Sequence, residues 1–189
     1  MDIFVNCPVL ENDNFTVRLI EENDTDDLLS VYSDKNALPF FNSDNCNGSN
    51  FYCASKEDMA NSIKFWLIEY HENRGFVRFS IIDKKKSKAI GTIEMFKRQS
   101  DDYYNNCGLL RLDLKSDYEK SEIIYDILSL IIKPFYEWFE CTVIATKAAV
   151  YAIERIDALK KMNFVKSDEP LVGFQKNTLY TDYWIIKKD

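Results

Sequence analysis

Residues 107–132 constrain the fold most, because they read as a strand that runs directly into a long helix. Leu110, Leu112 and Leu114 alternate with Arg111, Asp113 and Lys115, the period-two pattern of a half-buried strand. After Ser116-Asp117-Tyr118 the period changes, and Ile123, Ile124, Ile127, Leu128, Ile131 and Phe135 fall on one helical face. A helix that begins straight after a strand presents unpaired backbone N–H groups and a positive dipole end, a natural place for phosphate. Yet no glycine lies between Gly108 and Gly173, so the usual flexible phosphate cradle is missing. On local features alone, a plain strand-to-helix connection in an α/β core leads.

A chain of 189 residues is long enough to bury a full core and fits one domain, 1–189. Hydrophobic content of 46% and aromatic content of 14% exclude a disordered chain. The net charge of −7 argues against nucleic acid as a partner, since phosphates would be repelled. It suits a cationic partner such as an amine, and a surface charge kept for solubility explains it equally well. The first residues carry neither a basic segment nor a long apolar one, so no signal peptide is expected. No apolar run reaches membrane-spanning length, and no membrane association is expected. Five widely spaced cysteines, at 7, 46, 53, 107 and 141, fit reduced thiols in a cytoplasmic protein better than a disulfide framework. Cys46 and Cys53, with six residues between them and no nearby His, do not make a zinc site, and no metal is expected.

Along the chain, Phe15–Ile20 reads as a short strand, and Asn23-Asp24-Thr25 caps a helix with Leu28, Leu29 and Tyr32 on one face. Residues 33–54 are rich in Asn, Asp and Ser but hold Phe40, Phe41, Phe51 and Tyr52, which predicts a loop that packs down. Ser55 to Asp58 has the outline of a capping box; the helix behind it carries Met59, Ile63, Trp66, Leu67 and Tyr70 and ends near Arg74-Gly75. Phe76–Asp83 and Ala89–Lys97 are strands joined by a lysine-rich turn. Pro134 is expected to kink or end the long helix. Cys141–Thr146 reads as a buried strand. Ala149–Met162 reads as a helix with Ala152, Ile153, Ile156 and Leu159 inward, and Asn163 as its left-handed terminator. Leu179–Ile186 is the last strand. The order β-α-α-β-β-β-α-β-α-β-β predicts a mixed α/β (α+β) sheet with helices on both faces.

That order resembles the GNAT N-acetyltransferase superfamily, in particular its RimJ/RimL-like branch, whose members acetylate protein N-terminal amines. Phe15-Thr16-Val17-Arg18-Leu19 resembles the family's opening strand, with its Arg-Leu ahead of an acidic helix start. Ala89-Ile90-Gly91-Thr92-Ile93 resembles the Ile-Gly-x-Ile of the third strand. Leu114-Lys115-Ser116-Asp117-Tyr118 falls where the family has Leu-x-Pro-Asp/Glu-Tyr. Leu159 to Phe164 is similar to the Leu-Glu-Lys-Leu-Gly-Phe that ends the fourth helix, and Leu179 to Trp184 to the closing strand. The resemblance implies strands at Leu109–Lys115 and Cys141–Thr146 that are parallel neighbours and splay apart near Asp117. It also implies acetyl-CoA as cosubstrate and, as acceptor, a small-molecule amine or a protein N-terminus.

By the same resemblance, the backbone at Leu112, Asp113 and Leu114 would meet the acetyl and pantetheine groups. The coenzyme loop maps onto Glu119, Lys120, Ser121, Glu122, Ile123 and Ile124, where the family's first basic or amide residue has become Glu119 and its first glycine Glu122. Both departures oppose a pyrophosphate, because a carboxylate about 4 Å from a phosphate charge costs ~1 kcal/mol in water and ~4 at an effective dielectric near 20. Weak coenzyme binding is therefore expected. The family's Asn-x-x-Ser falls on Ala152 and Arg155; Arg155 holds its proton too tightly to serve as a general acid but offers charge to a thiolate or a phosphate. Direct attack by a neutral amine needs a proton acceptor, and Glu94 and Asp113 are the carboxylates on strands that line the acceptor cleft. Phe40, Phe41, Phe51 and Tyr52 are expected to wall that cleft. Two further readings stay open: a GNAT-fold module without turnover, used for binding or regulation, and an unrelated α/β binding protein.

Overall fold

The computed structural model describes residues 1–175 and 178–188. Its strands are β1 (Leu10–Glu11), β2 (Phe15–Leu19), β3 (Val77–Asp83), β4 (Lys88–Lys97), β5 (Gly108–Leu114), β6 (Val143–Lys147), β7 (Val165–Lys166), β8 (Leu171–Val172), β9 (Leu179–Tyr180) and β10 (Tyr183–Lys187). Its helices are α1 (Thr25–Tyr32), α2 (Lys56–Ile68), α3 (Ser121–Trp138) and α4 (Ile153–Lys161). Eight strands form one sheet in the order β1-β2-β3-β4-β5-β6-β10-β7, and β8 and β9 form a separate hairpin. Every pairing in the large sheet is antiparallel except β5 with β6. This is the mixed sheet that the sequence predicts.

Alternation along β3 sorts the two faces. Val77, Phe79 and Ile81 point into a core shared with Ile124, Ile127, Leu128, Ile131 and Phe135 of α3. Arg78 and Ser80 point the other way, beneath α1 and α2, whose Leu28, Val31, Met59, Ile63 and Trp66 form a second core. Asp24 joins this side together: its carboxylate accepts from Arg18 of β2 (2.6 Å) and from Ser80 of β3 (2.6 Å), and it precedes α1. The Arg18 of the opening motif thus anchors the start of the first helix. The capping box at α2 forms as predicted, with Asp58 N–H donating to Ser55 Oγ (3.1 Å) and Ser55 N–H to Asp58 Oδ2 (3.0 Å).

Four boundaries differ from the sequence reading. The long helix starts at Ser121, after a 3₁₀ turn over Ser116–Tyr118, and runs through Pro134 to Trp138. A proline costs a helix interior about 3 kcal/mol, but Ile131, Ile132, Phe135 and Tyr136 are all buried on either side of it and hold both halves to the sheet. The following strand begins at Val143, two residues late. Residues 149–152 form a turn closed by Ala152 N–H to Ala149 O (2.8 Å), and α4 starts only at Ile153. The sequence there supplies no side-chain cap, and Tyr151 is tied away to the Pro39 carbonyl (2.6 Å). Ala152 and Leu159 are buried and Ile156 packs on the core as expected, but α4 turns Ile153 outward (69% exposed) and Arg155 inward (2%). Asn163 does end the helix at φ 67°, with Phe164 N–H bonded to Leu159 O (2.9 Å). The last strand is broken at Asp182, φ 66°, so Leu179 and Tyr180 pair with β8 instead.

Gly91 explains the glycine of the third-strand motif. Ile81 faces Gly91 while Ile82 faces Ala89, so Ile90 is an extra, bulged residue in β4. A Cβ at Gly91 would run into the Asp113 carbonyl oxygen and lie 2.8 Å from the Leu114 side chain. Gly91→Ala should therefore lower stability by about 1–3 kcal/mol, read from urea midpoints; an unchanged midpoint would mean that β4 and β5 separate freely.

Candidate active site

The parallel register of β5 and β6 runs from Gly108↔Ile144 to Leu110↔Thr146 and stops. Beyond it β5 stays with β4, as far as Leu114↔Gly91, and β6 stays with β10, as far as Lys147↔Tyr183. The strands diverge as expected and leave a wedge. Backbone groups of Leu112 face that wedge, and by alternation those of Asp113 face β4. Arg155 of α4 fills the opening. Its Nη1 donates to the carbonyls of Leu112 (2.9 Å) and Phe40 (3.0 Å). Its Nε and Nη2 grip Glu119 at 2.7 and 2.8 Å, a bidentate pair. Burial opposes the charge on Arg155, but Glu119 more than restores it and raises its pKa.

Ser121, the first residue of α3, is also engaged. Ser121 N–H donates to Glu154 Oε2 (2.8 Å), and Ser121 Oγ donates to Asp157 Oδ2 (2.5 Å). Lys161 closes the group, 2.8 Å from Asp157 and 3.1 Å from Ser121 Oγ, and with Ser121 it keeps the Asp157 carboxyl below its ordinary range. Sequence reasoning places the opposing charges on Glu119 and Glu122. Instead Glu119 points inward to Arg155, and the Glu122 side chain is 83% exposed. Lys120 is exposed, Ile123 is half-buried and Ile124 is core. The carboxylates on the helix end come from α4, a helix remote in sequence. In this conformation the Ser121 N–H of α3 and the Leu112 carbonyl in the wedge, both places where a coenzyme would bond, are taken by side chains of α4.

On the opposite face of the sheet, Glu94 and Asp113 come together around Arg78. Arg78 Nη2 pairs with Glu94, and its Nη1 lies 3.2 Å from Asp113 Oδ2, 2.9 Å from Tyr32 OH and 3.1 Å from Thr92 Oγ1. Tyr32 OH donates to Asp113 Oδ2 (2.9 Å), and Arg111 lies 3.2 Å from Glu94. The Trp66 ring covers Arg78 at 4.1 Å. The two carboxylates diverge. Burial pushes Glu94 up, but Arg78 and Arg111 together hold it below its ordinary value. Burial raises Asp113, and Arg78, shared with Glu94, offsets this only in part. Asp113 Oδ1 is buried without a hydrogen-bond partner among the described residues.

The loop between α1 and α2 packs over this face. Phe41 and Phe51 lie 5.3 and 6.3 Å from the Tyr32 ring, and Phe40 lies 6.0 Å from Tyr151. Tyr52 departs from expectation: it sits outside, in a recess with Asn61 and Phe65. Asp44 reaches Lys147 (2.6 Å) and Tyr183 OH (3.0 Å), while Arg111 donates to its carbonyl (2.9 Å). A cavity of about 290 Å³ beside this group is lined by Phe40, Asp44, Lys147 and Tyr151 among others. Tyr104 OH is bound to the Glu169 carbonyl (2.8 Å), and His71 stacks edge-on against Tyr70 on the outer side of the sheet's far end.

Sequence reasoning misses Tyr32, Arg78, Asp44 and Lys147. Arg78 and Ser80 interrupt an apolar strand at period two, which reads as a solvent face; only α1 and α2 lying above make it a buried one.

Two measurements check this electrostatic arrangement. Arg78→Met should destabilise the fold by about 3–5 kcal/mol, because it strands two buried carboxylates. Asp113, with a raised pKa, keeps a proton in the folded chain that the unfolded chain has released, so its contribution is complete below the ordinary value of 3.8 and is lost as pH rises through the folded one. Asp113→Asn should therefore gain stability relative to the native chain as pH moves from acid towards neutral. Parallel urea midpoints across the range would refute the raised pKa.

No family model matches the sequence, and no curated protein does. Solved structures do match. A ribosomal-protein-S5-alanine acetyltransferase from Vibrio fischeri superposes with a TM-score of 0.71 at 18% identity, covering 96% of this chain and 97% of that one. The acetyl transferase from Salmonella typhimurium that modifies the N-terminal serine of ribosomal protein L7/L12 gives 0.67 at 12%, covering 96% and 100%. A GNAT-family acetyltransferase from Bacillus anthracis gives 0.68 at 11%, covering 95% and 98%. At such identities the likeness is one of architecture, and it extends over nearly the whole length: the chain has the fold of the GNAT acetyltransferases, with ribosomal-protein acetyltransferases, RimL among them, in the structures it matches.

Proposed function

We propose that the chain is an acyltransferase that moves an acetyl group onto a primary amine, on a small molecule or a protein N-terminus. The observation that carries this reading is the wedge between β5 and β6, flanked on the sheet's other face by a buried carboxylate with a free oxygen. Acetyl-CoA is the donor that the fold suggests. Of the two carboxylates, Asp113 suits the proton acceptor. Its raised pKa brings it nearer the operating range of a general base, and its Oδ1 has no partner among the described residues. Tyr32 and Arg78 hold its other oxygen and so fix its orientation. Glu94, kept ionised by two guanidiniums, is a weaker base and serves to hold Arg78 and Arg111 in place. Because Asp113 is only 1% exposed, an amine reaches it only when the loop carrying Phe41 and Phe51 lifts.

The filled wedge favours a second reading, a GNAT-fold module that binds a partner without turnover. Thiol release from acetyl-CoA, measured against a panel of amines and short N-terminal peptides, separates the two. Turnover should appear with at least one acceptor, and Asp113→Asn should lower kcat about a hundredfold or more while changing KM little. A folded native protein that releases no thiol above background with any acceptor would leave the second reading standing.

A further inference from the structure

Three residues on one turn of α4 reach three different parts of the donor side. Glu154 takes the Ser121 amide, Asp157 takes the Ser121 hydroxyl, and Arg155, between them, enters the wedge. We propose that this turn is a built-in plug, whose carboxylates stand on the positive end of α3 in place of a ligand diphosphate. The inference rests on the acyl-transfer reading for the identity of the site, but the plug itself is a property of these side chains.

The physical case has three parts. A helix N-terminus attracts an anion whatever its source; here Glu154 takes the Ser121 N–H and Asp157 takes the hydroxyl of the same residue. An incoming diphosphate has to displace them, and an extended ligand enters the wedge only if Arg155 releases the Leu112 carbonyl. Because the residues share one turn, they move together. The contacts also differ in strength. Asp157 and Lys161 are about half exposed (52% and 46% of their side chains), and exposed pairs contribute little. Arg155 and Glu119 are buried (3% and 6%), so they form the latch and the exposed pair the seat.

The latch joins the two sides of the sheet. A single nitrogen, Arg155 Nη1, bonds both the Leu112 carbonyl of β5 and the Phe40 carbonyl of the loop over the acceptor face. Withdrawal of Arg155 therefore opens the wedge and removes one tie on that loop, leaving those from Tyr151, Lys147 and Tyr183. Donor entry and acceptor access are coupled through one guanidinium.

Inorganic pyrophosphate is the direct probe, since it tests the helix end without requiring transfer. Calorimetric titration should show weak binding to the native protein and at least tenfold tighter binding to Glu154→Ala/Asp157→Ala. Glu122→Ala removes charge from the same helix end without touching Ser121, and it should change affinity far less. In Glu119→Gln/Arg155→Met, hydrogen exchange over residues 38–44 should be faster than in the native protein with no ligand present. The plug is overturned if the alanine pair binds pyrophosphate no better than the native protein. It is equally overturned if Glu122→Ala matches the pair, or if the native protein binds tightly with exchange in α4 unchanged. Acetyl-CoA, titrated in parallel, keeps the two ideas apart. A gain for pyrophosphate with none for acetyl-CoA retains the plug and removes the acyl-transfer reading.

Discussion

The structure turns on how the gap between β5 and β6 is satisfied. Two parallel strands that part company leave backbone carbonyls facing a void, and a buried carbonyl without a partner costs about 1–3 kcal/mol. Arg155 answers this with one planar side chain. It supplies a hydrogen to Leu112, another to Phe40 and two to Glu119. A buried charge is tolerated only with a matched partner and satisfied hydrogen bonds, and Glu119 provides the match in bidentate form. The pair thus holds together β5, the approach to α3, the loop before α2 and the start of α4.

A similar solution operates on the polar face of the sheet. Arg78 lies under Trp66 and collects Glu94, Asp113, Tyr32 and Thr92. Burial raises both carboxylates; Arg78 and Arg111 together bring Glu94 below its ordinary pKa, whereas Asp113, opposed chiefly by the shared Arg78, stays above its own. Asymmetry of this kind occurs at functional sites and in structural ion-pair networks alike. Asp44 repeats the theme nearer the surface, where Lys147 and Tyr183 hold the loop down over the sheet.

Much of the architecture is legible in the sequence because it is local. The strand of Leu110, Leu112 and Leu114, the Ser55–Asp58 capping box and the left-handed Asn163 each report on a few neighbouring residues, and each appears in the structure, although β5 is buried on both faces rather than one. The order of elements then leaves few topologies for a mixed sheet. Where the reading misses, a long-range term decides. Pro134 does not end α3, because the core holds the helix on either side of it. Arg155 rather than Ile153 turns inward, because Glu119 awaits it across 36 residues of chain.

The sequence by itself determined the strand-to-helix unit, the mixed sheet and the absence of a glycine cradle at the helix end. These follow from periodicity and from residue types that act over a few positions. Only the tertiary structure decided which charges meet. Glu119 and Glu122 are three residues apart, yet one is buried on a guanidinium and the other is 83% exposed, 3.8 Å from Lys161. Glu154 and Asp157 reach the amide and hydroxyl of Ser121 from another helix. Coulombic and hydrogen-bond energies depend on distances across the fold and on the depth of burial, and neither quantity is written in the spacing of residues along a chain.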